Sequence, residues 1–206
     1  MKNYQIPYFT VLLSTITLLF SFYVAYDITG SFFARVRVTD LEEYGVRFEY
    51  LLDGQLWRLF TSQIIHVKQF HMLFNVVSLF VLGLYIERYV GLLKMSLLWF
   101  VSGSAGTVVS TFFGKEPWNL GTGASQAIMG VAALAALIIY THIDVSKGLK
   151  YAVAFALIPA LLLDLIYAGY PKPGHLLGFL VGLGIGLIYI RGNNIRLTPC
   201  PVRVNS

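Results

Sequence analysis

The chain has 206 residues, 57% of them hydrophobic and only 12% charged, with a mean hydropathy of +0.71 and a net charge of +5. A soluble domain carries about twice that share of charge, so the composition excludes a disordered chain and argues against a soluble globule. The 15 Lys and Arg are scattered between apolar runs rather than gathered into a basic stripe, which argues against nucleic-acid binding, and the single Cys200 leaves no disulfide framework or cysteine zinc site within one chain.

Taken in chain order, the apolar runs predict six transmembrane helices, because about 20 apolar residues cross a hydrocarbon core of about 30 Å. The first covers about 8–28. No small-x-small cleavage site follows it, so it reads as a retained span rather than a signal peptide. Residues 31–57 mix Arg35, Arg37, Asp40, Glu42, Glu43, Arg47, Glu49 and Asp53 with aromatic and aliphatic side chains. That pattern predicts a long interfacial loop with short amphipathic helices. Further spans are predicted at about 71–86, 94–113, 124–143, 149–168 and 175–190, followed by a short polar tail over 191–206. The fifth contains Pro159, which membrane helices tolerate when neighbours satisfy the freed backbone group. The expectation is an all-α, polytopic bundle of six helices forming one domain over 1–206, with the lipid bilayer as its surroundings.

Basic residues set the orientation. With the N-terminus inside, the inner segments hold Lys2, Arg88, Lys94, Lys147, Lys150, Arg191, Arg196 and Arg203, and the short outer loops only Lys115 and Lys172. The long loop and the approach to the second span add Arg35, Arg37, Arg47, Arg58 and Lys68, offset by acidic residues. Both termini are therefore expected in the cytoplasm. A compact chain of this kind fits a prokaryotic plasma membrane.

Polar groups inside a membrane cost free energy unless paired, which makes them functional candidates. His71 and Asn75 open the second span four residues apart and share a helix face. His66, five residues before His71, does not share it. Ser125 starts the fourth span behind a glycine-rich loop, and His175 opens the sixth. Each has an ordinary alternative: a serine bonded to its own helix, a histidine at the interface. Gly178, Gly182 and Gly186 recur every four residues and read first as a helix-packing face. If the fourth span is what packs there, His175 reaches Ser125.

That pairing suits covalent catalysis. A serine hydroxyl needs an adjacent base, which imidazole supplies. The oxyanion that follows needs donors, and a backbone N–H at a helix start with His71 and Asn75 would provide them. No metal is expected: H-E-x-x-H is absent, and neither Glu87 nor Asp164 has ligand spacing to the histidines. No cofactor is expected either.

Several of these residues fall into ordered motifs. Trp57-Arg58-Leu59-Phe60-Thr61, then His66, His71 and Asn75, resembles the W-R-x-x-T and H-x4-H-x3-N pattern of the rhomboid family of intramembrane serine proteases. Glu87-Arg88 with Gly91, Gly123-Ala124-Ser125, and Gly174-His175-Leu176-Leu177-Gly178 resemble that family's E-R/K-x-x-G, G-x-S and G-H-x-x-G motifs. The likeness runs from about Trp57 to Ile190.

The resemblance implies a catalytic dyad without an aspartate, Ser125 as nucleophile and His175 as base and then acid. It implies an oxyanion site of the Ser125 N–H with His71 and Asn75, and supporting parts for His66 and Gly123. Glu87 and Arg88 would brace the long loop and second span. The fifth span and residues 169–174 would gate and cap the site. The expected partners are transmembrane protein substrates, cleaved near small residues through an acyl-enzyme. Two positions depart from the pattern: Gln126 stands where Gly is usual, and Met129 where an aromatic ring often stacks on the histidine. A non-proteolytic relative that binds membrane-protein clients is the alternative, and retention of both Ser125 and His175 speaks against it. A transporter would show inverted repeats, which are not evident.

Overall fold

A computed structural model describes residues 6–141 and 145–192; the predicted end of the fourth span at Ile143, the tail beyond Gly192 with Cys200, and the basic residues Lys2, Arg196 and Arg203 lie outside the described residues. The architecture is all-α. Six long helices occupy the apolar runs: α1 (Tyr8–Thr29), α4 (Gln69–Val90), α5 (Leu92–Phe113), α6 (Ser125–Thr141), α7 (Lys147–Ala168) and α8 (Pro173–Arg191). The long loop holds a 3-10 turn (Val38–Leu41) and two short helices, α2 (Phe48–Leu52) and α3 (Arg58–Ile64). Among the described residues five of the long helices have the length and hydropathy to cross a bilayer, and the described part of α6, Ser125–Thr141, is apolar as well. The chain is an integral, multi-pass membrane protein.

α6 lies at the centre of the bundle. It is buried without interruption from Ser125 to Ala135, and α4, α5, α7 and α8 pack around it. A helix apolar on every side belongs in the middle of a bundle. Residues 114–124 lead from α5 into its first residue, Ser125.

Lipid offers no hydrophobic drive for helices to associate, so close packing of small residues replaces it. A Cβ on Gly178 would land on the Gln126 backbone, and one on Gly182 on the backbone of Gly130. The glycine stripe of α8 therefore does face α6. At the start of α8, a Cβ on Gly174 would strike Ser110 of α5 and come within 2.6 Å of the Gly106 carbonyl oxygen. The first turn of α8 is thus wedged between α5 and α6.

Glu87 is placed differently from expectation. It does not brace the long loop; its buried carboxylate accepts hydrogen bonds from the N–H groups of Phe9 (3.0 Å) and Thr10 (2.8 Å) and from the Thr10 hydroxyl (2.7 Å). The physical reason is that the residue before α1, Pro7, offers no side-chain cap, while antiparallel packing brings the last turn of α4 beside the first turn of α1. A carboxylate at a helix N-terminus satisfies orphan donors and complements the helix dipole. Arg88 is exposed. Glu87→Ala leaves one buried and one partly buried N–H group without acceptors and is expected to cost about 2 kcal/mol. Thermal unfolding in detergent should show a midpoint several degrees lower; an unchanged midpoint would remove the cap from the account.

The loop is held instead by Arg58. Its Nη1 donates to the carbonyls of Glu42, Glu43 and Gly45, each at 2.8 Å, its Nε donates to Gln55 Oε1, and its guanidinium lies 4.6 Å from the ring centroids of Tyr50 and Trp57. Thr61 adds a hydroxyl bond to the Tyr44 carbonyl at 2.8 Å. The W-R-x-x-T motif is therefore a clasp on residues 42–45. Below it Val36, Val38, Leu41, Ile65 and Leu120 form a small core against Val24 and Ala25 of α1.

Candidate active site

Alternation of direction puts the starts of α4, α6 and α8 at one end of the bundle, with the ends of α1 and α7. Every candidate residue lies at that end: His71 and Asn75 in the first turns of α4, Ser125 first in α6, His175 third in α8. Three helix N-termini converge there, each with unsatisfied N–H groups and the positive end of its dipole.

Ser125 and His175 meet. The Ser125 hydroxyl lies 2.8 Å from His175 Nε2, and each residue is 9% exposed, buried yet reachable. Both sit where glycine spacing puts α6 and α8 in backbone contact. As the first residue of α6, Ser125 also brings a main-chain N–H that no helical carbonyl engages.

The other nitrogen of that ring has a partner the sequence reading did not assign. His175 Nδ1 lies 2.6 Å from Asp164 Oδ2, a carboxylate near the end of α7 that is 1% exposed. The expectation of a dyad with no aspartate beside it is thus corrected in its geometry: a carboxylate stands on the imidazole. The turn after α7 explains why. Only four residues separate α7 from α8, so the last turns of α7 fold back beside the first turn of α8. Lys172 N–H donates to the same Asp164 oxygen at 3.0 Å, and Lys172 Nζ lies 3.4 Å from the other. The signal was available: Asp164 is the single acidic residue in the run Leu149–Ala168, and intramembrane acids are functional candidates by default.

His66 anchors a second cluster. The Ser21 hydroxyl donates to the Ile64 carbonyl at 2.8 Å, so its contact with His66 Nδ1 at 3.0 Å makes the imidazole the donor. Nε2 is then the acceptor, receiving Asn75 Nδ2 at 2.9 Å and, more distantly, the Ala124 N–H at 3.4 Å. Asn75 Nδ2 also lies 3.3 Å from His71 Nε2. The histidines and Asn75 thus abut the peptide that precedes Ser125. Among the described residues neither His71 nor Asn75 bonds to Ser125 itself; His71 is exposed and Asn75 is buried.

Gly123 holds φ +94, a region that favours glycine, and its N–H is fixed by the Ser62 carbonyl at 2.7 Å. That turn lets the chain pass beside His66 and His71 and enter α6 at Ser125. Gln126, the larger residue after the serine, fits because Gly106 of α5 leaves room for it, and its Oε1 lies 3.3 Å from the Ser125 hydroxyl. Met129 is buried, and among the described residues no aromatic ring stacks on His175.

Comparison with known proteins gives the family. The rhomboid domain matches residues 53–192. Rhomboid-like protease 1 of Toxoplasma gondii is 34% identical over 157 residues, covering 72% of this chain and 53% of that protein. Rhomboid protease AarA of Providencia stuartii is 26% identical over 166 residues, covering 69% of this chain and 59% of that protein. A relative named inactive, RHOMBOID-like protein 8 of Arabidopsis thaliana, is 28% identical over 114 residues, covering 55% of this chain and 32% of that protein. The chain thus spans from about a third to somewhat over half the length of these curated relatives. The matched region runs from α3 through α8 and carries Ser125, His175 and the glycines that bring them together: this chain belongs to the rhomboid family.

Proposed function

We propose that the protein is an intramembrane serine endopeptidase that cleaves transmembrane segments of membrane proteins through Ser125 and His175. The observation that carries this reading is the 2.8 Å contact between the Ser125 hydroxyl and His175 Nε2 at the start of a buried helix. His175 takes the hydroxyl proton as Oγ attacks the scissile carbonyl. The resulting oxyanion is met by the Ser125 N–H at the α6 dipole and by His71 beside it, and Asn75 joins them by turning away the Nδ2 proton that faces His71 Nε2 in the resting site. His175 then passes its proton to the leaving amine, and water resolves the acyl-enzyme by the same route in reverse roles. The basic-residue count supports a cytoplasmic N-terminus. The site would then open at the opposite, outer end, where water has access.

Cleavage of a single-span test substrate by the purified chain in liposomes, with Ser125→Ala alongside, tests the reading. Cleavage by the wild type alone is the expected result. A fluorophosphonate probe should label the wild type and spare the variant. Absence of both cleavage and labelling in the wild type would favour the alternative, a rhomboid-like protein that binds clients without cutting them, to which the relative named inactive lends weight.

Asn75→Ala should lower kcat by about 10²-fold, the range for one oxyanion donor among several. Because Asn75 also bonds His66, the measurement pairs kcat with thermal unfolding. An unchanged kcat in a folded variant would take Asn75 out of the oxyanion site.

A further inference from the structure

Asp164 is a buried carboxylate on the helix of the bundle that is most exposed to lipid. An isolated carboxylate there is costly unless it is paired and hydrogen-bonded. It has three partners: His175 Nδ1 at 2.6 Å, the Lys172 N–H at 3.0 Å and Lys172 Nζ at 3.4 Å. The Lys172 side chain is half exposed and its Nζ reaches the carboxylate from the surface, so the one buried side-chain partner is His175. The helices that carry the pair are not chief packing partners: α7 lies on α4 and α6, and α8 on α5 and α6.

The imidazole has little else to hold it. His175 is in the first turn of α8, and no ring stacks on its face among the described residues. Its orientation rests on its two hydrogen bonds, one at each nitrogen. A carboxylate can only accept there, so it requires the proton on Nδ1. That leaves the Nε2 lone pair for the single Ser125 hydroxyl proton, which goes to Nε2 at 2.8 Å rather than to Gln126 Oε1 at 3.3 Å. This is the tautomer a general base needs.

Resting on the protease reading above, we propose that Asp164 is a positioning residue for the reaction at Ser125, holding His175 in the tautomer and ring orientation that accept the serine proton. It touches neither substrate nor the reacting atoms. It acts through His175 and stabilises the imidazolium formed when Ser125 attacks. Lys172 in the turn and His71 and Lys68 at the start of α4 are the other ionisable groups of this region; among the described residues the hydrogen-bond partner of Nδ1 is Asp164. The competing explanation is that Asp164 only fastens the turn before α8 through the Lys172 N–H.

The test uses the full chain in liposomes with the single-span substrate and Asp164→Ala and Asp164→Asn. Asp164→Ala should lower kcat by about 10²-fold or more with KM within about twofold, and fluorophosphonate labelling of Ser125 should slow in parallel. Asp164→Asn, which keeps the shape and an acceptor oxygen but not the charge, should fall between that variant and wild type. Nitrogen-15 spectra of histidine-labelled protein should show His175 with its proton on Nδ1 in the wild type and a shift toward the Nε2–H form in Asp164→Ala. Wild-type kcat in folded Asp164→Ala would overturn the proposal. So would a loss of activity that only tracks the unfolded fraction while the His175 tautomer stays unchanged. Failure of the protease reading looks different: the wild type itself would neither cleave nor label.

Discussion

Ser125→Ala and His175→Ala are each expected to bring cleavage to background, a fall of about 10⁴-fold or more, while leaving the protein folded. Neither side chain carries the bundle: Ser125 bonds only His175 and Gln126 among the described residues, and His175 only Ser125 and Asp164. The losses should not add. Attack by Oγ requires the proton to leave for Nε2, so removing either group removes the same step. The double variant should match the single ones. Rates in liposomes, with circular dichroism on each variant, decide the matter. Residual activity near wild type in either single variant would end the assignment of nucleophile and base, and a double variant far slower than both would show that they act separately.

The second large effect concerns a glycine that touches no reacting atom. Gly182→Ala should destabilise the protein and inactivate it, because the added Cβ meets the backbone of Gly130 rather than a side chain that can turn away. Overpacking a tight core costs about 1–3 kcal/mol, and here the only relief is to separate α8 from α6. Such a movement carries His175 away from Ser125, and a misplacement of about 1 Å can cost about 10²-fold in rate. The same helix provides the control. Gly184, two residues on, is exposed with open space where its Cβ would lie, so Gly184→Ala should be neutral, or stabilising by up to about 1 kcal/mol through helix propensity. Thermal midpoints and cleavage rates for the pair distinguish packing from propensity. Equal effects at the two positions would refute the claim that the stripe sets the α6–α8 distance.

What was legible in the chain depended on how far apart in sequence its causes lie. Six apolar runs announce six helices because hydropathy over about 20 residues is a local property. His71 and Asn75 were placed together by helical spacing alone, and the clasp of the long loop was legible as the W-R-x-x-T motif, though not that Arg58 grips the carbonyls of residues 42–45. Gly178, Gly182 and Gly186 declared a packing face without naming what packs there. Glu87 shows the limit from the other side. Its motif position was evident, but its task was misassigned, because its partners Phe9 and Thr10 lie more than seventy residues away and meet it only through the antiparallel packing of α1 on α4.

By itself, then, the sequence determined that this is a polytopic helical membrane protein with the motifs of the rhomboid family in order. Those are matters of composition, periodicity and motif. The tertiary structure decided which groups touch: Ser125 with His175, His66 with Asn75 and Ser21, and above all His175 with Asp164. Hydrogen bonds act over about 3 Å, and nothing in the spacing of residues 164 and 175 says that a turn of four residues returns one helix beside the next. Only packing at that distance turns a lone acid in an apolar run into a partner for the histidine.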